Sequence, residues 1–93
     1  MTIRVVYSRR AAAEVEEITA SLAEHSRAAA DRFSRALERA EQQLSQFPNS
    51  SAPGPLPGTR RLILGNYVVS YRRRSGDVEI FAVRHAHRRD ARV

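Results

Sequence analysis

The chain has 93 residues, with 16 basic and 10 acidic side chains and a net charge of +6, and all of those basic side chains are arginine. A domain this small buries only about two thirds of the surface its unfolded chain exposes, which leaves no room for a large enclosed active-site cavity. With no cysteine, disulfides, thiol nucleophiles and cysteine-based zinc sites are excluded as well.

No stretch approaches the roughly 18 consecutive apolar residues of a membrane span, and the N-terminal MTIRVVYSRR is interrupted by Arg4. A cytoplasmic protein without a membrane anchor, cofactor or metal is therefore expected. Arginine keeps its charge and presents a rigid fork of donors to phosphate or carboxylate, so the composition points to docking on an acidic partner, protein or nucleic acid. A GC-rich genome that writes arginine for lysine accounts for the bias equally well.

In chain order, Ile3, Val5 and Tyr7 alternate with period two and predict a short first strand over 2–7. Ser8 stands where a helix N-cap would, and Ala11, Val15, Ile18 and Leu22 then form one helical stripe. Ser26 offers a second cap, and Phe33, Leu37, Ala40, Leu44 and Phe47 continue from Ala30 at spacings of three and four. Only EHSR separates the stripes, so an antiparallel helical hairpin is expected. Off-stripe residues such as Glu38, Arg39 and Glu41 read as its solvated face.

Pro48 ends the second helix, and PNSSAPGPLPG (48–58) carries all four prolines. Two halves of this size would each be marginal alone, so 48–58 reads as a crossover inside a single 1–93 domain. RRLIL (60–64), a Gly65-Asn66 turn, YVVSYRR (67–73), a second turn over 74–77 and VEIFAVRH (78–85) then make three hairpin-linked strands. The expected fold is α+β, in the order β-α-α-β-β-β, with the helical hairpin packed on a small antiparallel sheet. Alternation places Val78, Ile80 and Ala82 on one face, with Phe81 and Val83 on the other. In the preceding strand Tyr67, Val69 and Tyr71 oppose Val68. Two helices cover one face only, so an apolar patch is expected on the other, as a partner's seat.

The C-terminal third carries a pattern of its own: Gly65, Tyr67, Tyr71 and Arg72, then Val78, Ile80 and Val83, then His85, Arg88 or Arg89, and Asp90. This G-x-Y-x-x-x-Y-R strand, V-x-I-x-x-V strand and H-x-x-R-D end resemble the ParE/RelE superfamily of bacterial type II toxins, and the likeness extends weakly to YSRRAAAEVEEI. The resemblance implies one of two activities. RelE-like members cleave mRNA on the ribosome, which would need cations and a proton-transfer group, here Arg61, Arg88 and His85, with Tyr67 as a substitute base. The chain departs from that branch: Val68 stands where RelE has an arginine, the loop lysines have no counterpart, and no acidic residue lies between Glu41 and Asp77. His85 then reads more readily as a hydrogen-bonded structural residue at the strand end, and His87 as solvent-exposed.

ParE-like members bind DNA gyrase, and this is the branch the chain resembles more closely. In that reading Arg72, Arg73 and Arg74 gather with Arg84, Arg88 and Arg89 near one edge as the target-docking set. The family also implies a cognate antitoxin, ParD-like or similar, whose acidic or amphipathic C-terminal segment lies across the helices and the open sheet face. Its expected contacts are Val15, Ile18, Leu22, Val69 and Tyr71. A basic nucleic-acid-binding module fits the charge but explains neither the turn spacing nor the tyrosine-rich strand.

Overall fold

The computed structural model describes residues 2–86, and all structural statements below concern these. The order is β1 (Val5–Tyr7), α1 (Arg9–His25), α2 (Arg27–Gln46), β2 (Ala52–Pro53), β3 (Thr59–Leu64), β4 (Tyr67–Arg74) and β5 (Asp77–His85). The helical hairpin is set by two serines. Ser8 Oγ accepts a hydrogen bond from the Ala11 N–H at 3.1 Å and so caps α1. Ser26 serves both helices: its N–H donates to Leu22 O at the end of α1, while its Oγ accepts from Ala29 N–H at the start of α2. The connector is therefore this one extended residue, tighter than the EHSR read from sequence.

On α2 the buried residues are Ala30, Phe33, Leu37, Ala40 and Leu44, the stripe expected from the spacing. Phe47 is not part of it. The helix ends at Gln46, Phe47 leaves helical geometry as the C-cap, and its ring is 60% exposed. Beyond Pro48 the chain is tied down rather than free: β2 pairs with Arg60 and Arg61 of β3, Arg60 donates to Ser51 O at 2.7 Å, and Tyr71 Oη donates to Pro48 O at 2.9 Å.

The three long strands form the expected antiparallel meander. Gly65 alone has positive φ in the first turn (61°), the pattern of a type II′ hairpin, whereas Ser75 and Gly76 both have it in the second (53° and 85°), the pattern of type I′. The sheet order is β1-β5-β4-β3-β2, and β1 joins parallel to β5, Val5 opposite Val78, so the five-stranded sheet is mixed.

One irregularity decides which side chains face the helices. Ser70 pairs with Ala82 but Tyr71 pairs with Ile80, so Phe81 is an extra residue in β5 and the alternation slips there. Val83 therefore joins Val78 and Ile80 beneath the helices, and Ala82 turns to the outer face with Ser70, the reverse of what strict alternation predicts. The core consists of Ala11, Phe33, Leu37 and Leu44 from the helices against Val69, Tyr71, Val78, Ile80 and Val83 from the sheet. Where β1 stops short, α1 closes the edge of β5: Glu14 Oε1 accepts the Val83 N–H at 2.9 Å.

Candidate partner-binding surfaces

The arginines expected to gather do not. In an antiparallel hairpin the residues flanking the turn meet each other, so Arg72 and Arg74 lie opposite Glu79 and Asp77. Arg72 Nε donates to Glu79 Oε1 at 2.9 Å, Arg74 reaches Glu79 Oε2 at 3.5 Å, and the Arg72 guanidinium lies over the Phe81 ring, 5.3 Å from its centroid. Arg4 joins them from the residue before β1, its guanidinium 2.8 Å from Asp77 Oδ2, and this hydrogen bond and charge hold it above the usual arginine range. Arg73 points to the other face and donates to Gly76 O at 3.2 Å.

Arg84 is at the far end of β5, opposite Val68. Four residues of strand lie between it and Glu79, which sets the two roughly 15 Å apart. There its Nε lies 3.2 Å from Glu14 Oε2, which Arg10 approaches at 3.5 Å. The docking set is thus split between the two ends of the β4–β5 hairpin. Arg88 and Arg89, its remaining members, lie outside the described residues, as do His87 and Asp90.

The candidate nuclease residues also separate. Tyr67 and His85 are cross-strand partners on the helix side, their rings edge-on at 5.4 Å, with Tyr67 packed 5.0 Å from Phe33. They line a cleft of about 260 Å³ beside α1, with Glu14, Glu17, Ile18 and Arg84. Arg61 pairs with Ser70, while its neighbour Leu62 pairs with Val69 of the core, so Arg61 projects from the opposite face of the sheet.

Of the expected antitoxin contacts, Val15, Ile18 and Leu22 are half-buried along α1, packed on the core with one margin outward. Val69 and Tyr71 present no surface: they are 0% and 1% exposed because they face the helices. The outer sheet face is also not the open apolar patch expected. Val68, Ser70 and Ala82 in its middle are buried, and its one well-exposed large hydrophobic among the described residues is Ile63, 64% exposed. Ile63 was legible as the residue alternating with Leu62 and Leu64.

Two further features were not foreseen. Arg61 Nε and Ser70 Oγ are buried without any hydrogen-bond partner, on cross-strand neighbours of this outer face. Glu14 binds Val83 and Arg84 together, a role that nothing in the alanine-rich helix announced. Among the described residues no cluster of three or more His, Asp or Glu side chains could hold a metal ion, and no helix is long and apolar enough to cross a membrane.

Three comparisons with known proteins bear on this arrangement. Residues 5–90 match the family model described as the ParE toxin of the type II toxin–antitoxin system parDE. A Sinorhizobium fredii protein, Y4kP, named as a candidate toxin, is 36% identical over 86 residues, covering 90% of this chain and 88% of that protein. Among solved structures, the chromosomal ParDE toxin–antitoxin system from P. aeruginosa superposes with a TM-score of 0.77 at 20% identity, over 92% of this chain and 98% of the matched one, a likeness of fold.

Proposed function

The chain belongs to the ParE toxin family of type II toxin–antitoxin systems, and on that premise we propose that it acts by binding: it docks on DNA gyrase in the cytoplasm, stalls its cycle, and is held inactive by a cognate antitoxin. The observation that supports binding over ribosome-dependent mRNA cleavage is the position of Arg61, on the face of the sheet opposite Tyr67 and His85. Phosphoryl chemistry needs its cations and its proton-transfer groups within about 3 Å of one reacting centre, and a sheet stands between these. The Tyr67–His85 pair, packed against Phe33, organises the end of the hairpin.

The target-docking surface in this reading is the turn end of the β4–β5 hairpin, with Arg72, Arg73 and Arg74, and Arg84 at the far end; Arg88 and Arg89 complete the set by sequence alone. The antitoxin segment lies along the outward margin of α1 at Val15, Ile18 and Leu22, where apolar burial supplies affinity and the arginines supply charge complementarity.

A supercoiling assay with purified gyrase tests the reading. Added toxin should block supercoiling, and replacing Arg72, Arg73 and Arg74 together by alanine should restore it, whereas His85→Ala in a chain that still folds should leave inhibition intact. Discrete cuts in mRNA on programmed ribosomes, abolished by His85→Ala while gyrase is unaffected, would replace it with the nuclease alternative.

A further inference from the structure

We infer that the outer face of the sheet holds a receptor for a single carboxylate, built from Arg61 and Ser70, which seats an acidic side chain of the antitoxin's neutralising segment. The inference rests on the antitoxin partnership proposed above and adds the place and chemistry of one contact.

The starting point is an unsatisfied pair. Ser70 is 1% exposed and its hydroxyl has no partner; the Arg61 Nε is likewise out of solvent contact and unpartnered. Buried polar groups in folded proteins are nearly always paired, because burial strips away their hydration and leaves nothing in return. Two such atoms on directly opposed residues of adjacent strands are therefore a pair of donors that one acceptor group can serve together. The register puts them there: Arg61 faces Ser70 across β3–β4, and Ser70 faces Ala82 across β4–β5, whose methyl has no hydrogen-bonding atom to offer either.

The geometry selects the ligand. Opposed Cβ atoms stand about 5 Å apart, so a hydroxyl and a guanidinium Nε–H projecting from them come within reach of the two oxygens of one carboxylate. Both can donate, and an ionised acceptor makes the stronger bond with each. Arg61 as a residue is only half-buried, so rotation of its side chain admits the ligand without moving the strands.

The surroundings favour a peptide over a nucleic acid. Ile63, two residues along the same face of β3, is 64% exposed, which suits a segment that sets an apolar side chain beside its acidic one. Glu79 and Asp77 toward the turn are matched by Arg72, Arg74 and Arg4, so the exposed apolar neighbour, and not the charge of this face, sets the choice. The net charge of +6 favours an acidic segment in either case.

The probe is a blocked heptapeptide alternating valine with glutamate, compared with its glutamine counterpart, titrated into the full-length toxin and followed by NMR at the arginine Nε–H and backbone amide signals. The glutamate peptide should shift the Arg61 Nε–H and the Ser70 amide and bind at least about tenfold more tightly than the glutamine peptide. Arg61→Gln and Ser70→Ala, checked for retained folding by thermal melting, should each erase that preference. Equal binding of the two peptides, shifts confined to the helical hairpin, an Arg61 signal bonded only to water, or no binding at all would overturn the inference. Displacement of the peptide by a single-stranded oligonucleotide at equal affinity would overturn it in favour of phosphate recognition. Gyrase supercoiling with the same variants separates the two readings: both should still inhibit the enzyme, and a toxin that binds the glutamate peptide through Arg61 yet leaves gyrase untouched would sink the proposed target while the receptor stands.

Discussion

The two faces of the β3–β4–β5 meander are built from alternate residues of the same strands, yet one is complete and the other is not. On the helix side Val69, Tyr71, Val78, Ile80 and Val83 are almost wholly removed from water, and the Tyr71 hydroxyl donates to Pro48 O. On the outer side stand an exposed isoleucine, two unpaired polar atoms and a row of ion pairs at 24–75% and 14–43% side-chain exposure. Exposed ion pairs of this kind contribute about 0–1 kcal/mol each. The difference teaches where each property resides: the helix side holds the fold together, and the outer side is where the charged pairs, the exposed Ile63 and the unpaired polar atoms collect.

Truncating the core should give the largest effect. Ile80→Ala removes a fully buried side chain at the centre of the helix-facing surface, and is expected to lower unfolding free energy by about 2–5 kcal/mol, measured by urea denaturation. A loss well under about 1 kcal/mol would mean that this face is loosely packed and the contrast between the faces is false.

Next in size is the latch between α1 and the edge of β5. Glu14→Ala leaves the Val83 N–H without its acceptor in a residue that is 1% exposed, and removes one ion-pair partner of Arg84, whose side chain is 15% exposed. The expected loss is about 1–3 kcal/mol. Glu14→Gln keeps an acceptor for Val83 and should recover most of it; if it recovers nothing, the ion pair with Arg84 carries the effect instead.

A smaller effect, visible only in alkali, tests how firmly β1 is held against α2. Tyr7 donates to Glu41 Oε2 at 2.5 Å, and burial, then the hydrogen bond and charge of Glu41, raise the phenol far above its ordinary value. A group whose folded value is raised contributes stability that is complete below the unfolded value, about pH 10 for tyrosine, and is lost as pH climbs above it. Stability should therefore fall more steeply above about pH 10 in the wild type than in Tyr7→Phe. Parallel pH profiles of the denaturation midpoint would show that Tyr7 is solvated and the strand loosely docked.

Much of this was legible because it is local. Ser8 and Ser26 announce helix starts by chemistry, the stripe from Ala30 to Leu44 repeats every three or four residues, and Gly65-Asn66 and Ser75-Gly76 mark hairpins by their backbone requirements. What escaped is non-local or depends on a one-residue shift. Pairing of Val5 with Val78 joins the two ends of the chain and leaves no mark in either segment. The extra residue at Phe81 exchanges the faces of Ala82 and Val83, and period-two counting cannot see it. The arginine set failed for a related reason: Arg84 follows Arg72–Arg74 closely in sequence, but antiparallel pairing carries it to the opposite end of the hairpin. Alternation places Val69 and Tyr71 on one face of β4, and only the packing of the helices decides which face that is.

The smallest stability effect is the most discriminating one. Ile63 is 64% exposed on the outer face of β3, so Ile63→Ser removes little buried surface and should change unfolding free energy by no more than about 0.5 kcal/mol in either direction. If that face is a docking surface, the same substitution should weaken antitoxin binding by an amount out of proportion to its effect on folding, because an apolar side chain at the centre of an interface contributes by being desolvated there and not in the free protein. Calorimetric titration alongside a melting curve separates the two. Equal small effects on both would make Ile63 an ordinary surface residue and leave the α1 margin as the antitoxin's seat; a large loss of stability would mean that the outer face is already part of the core.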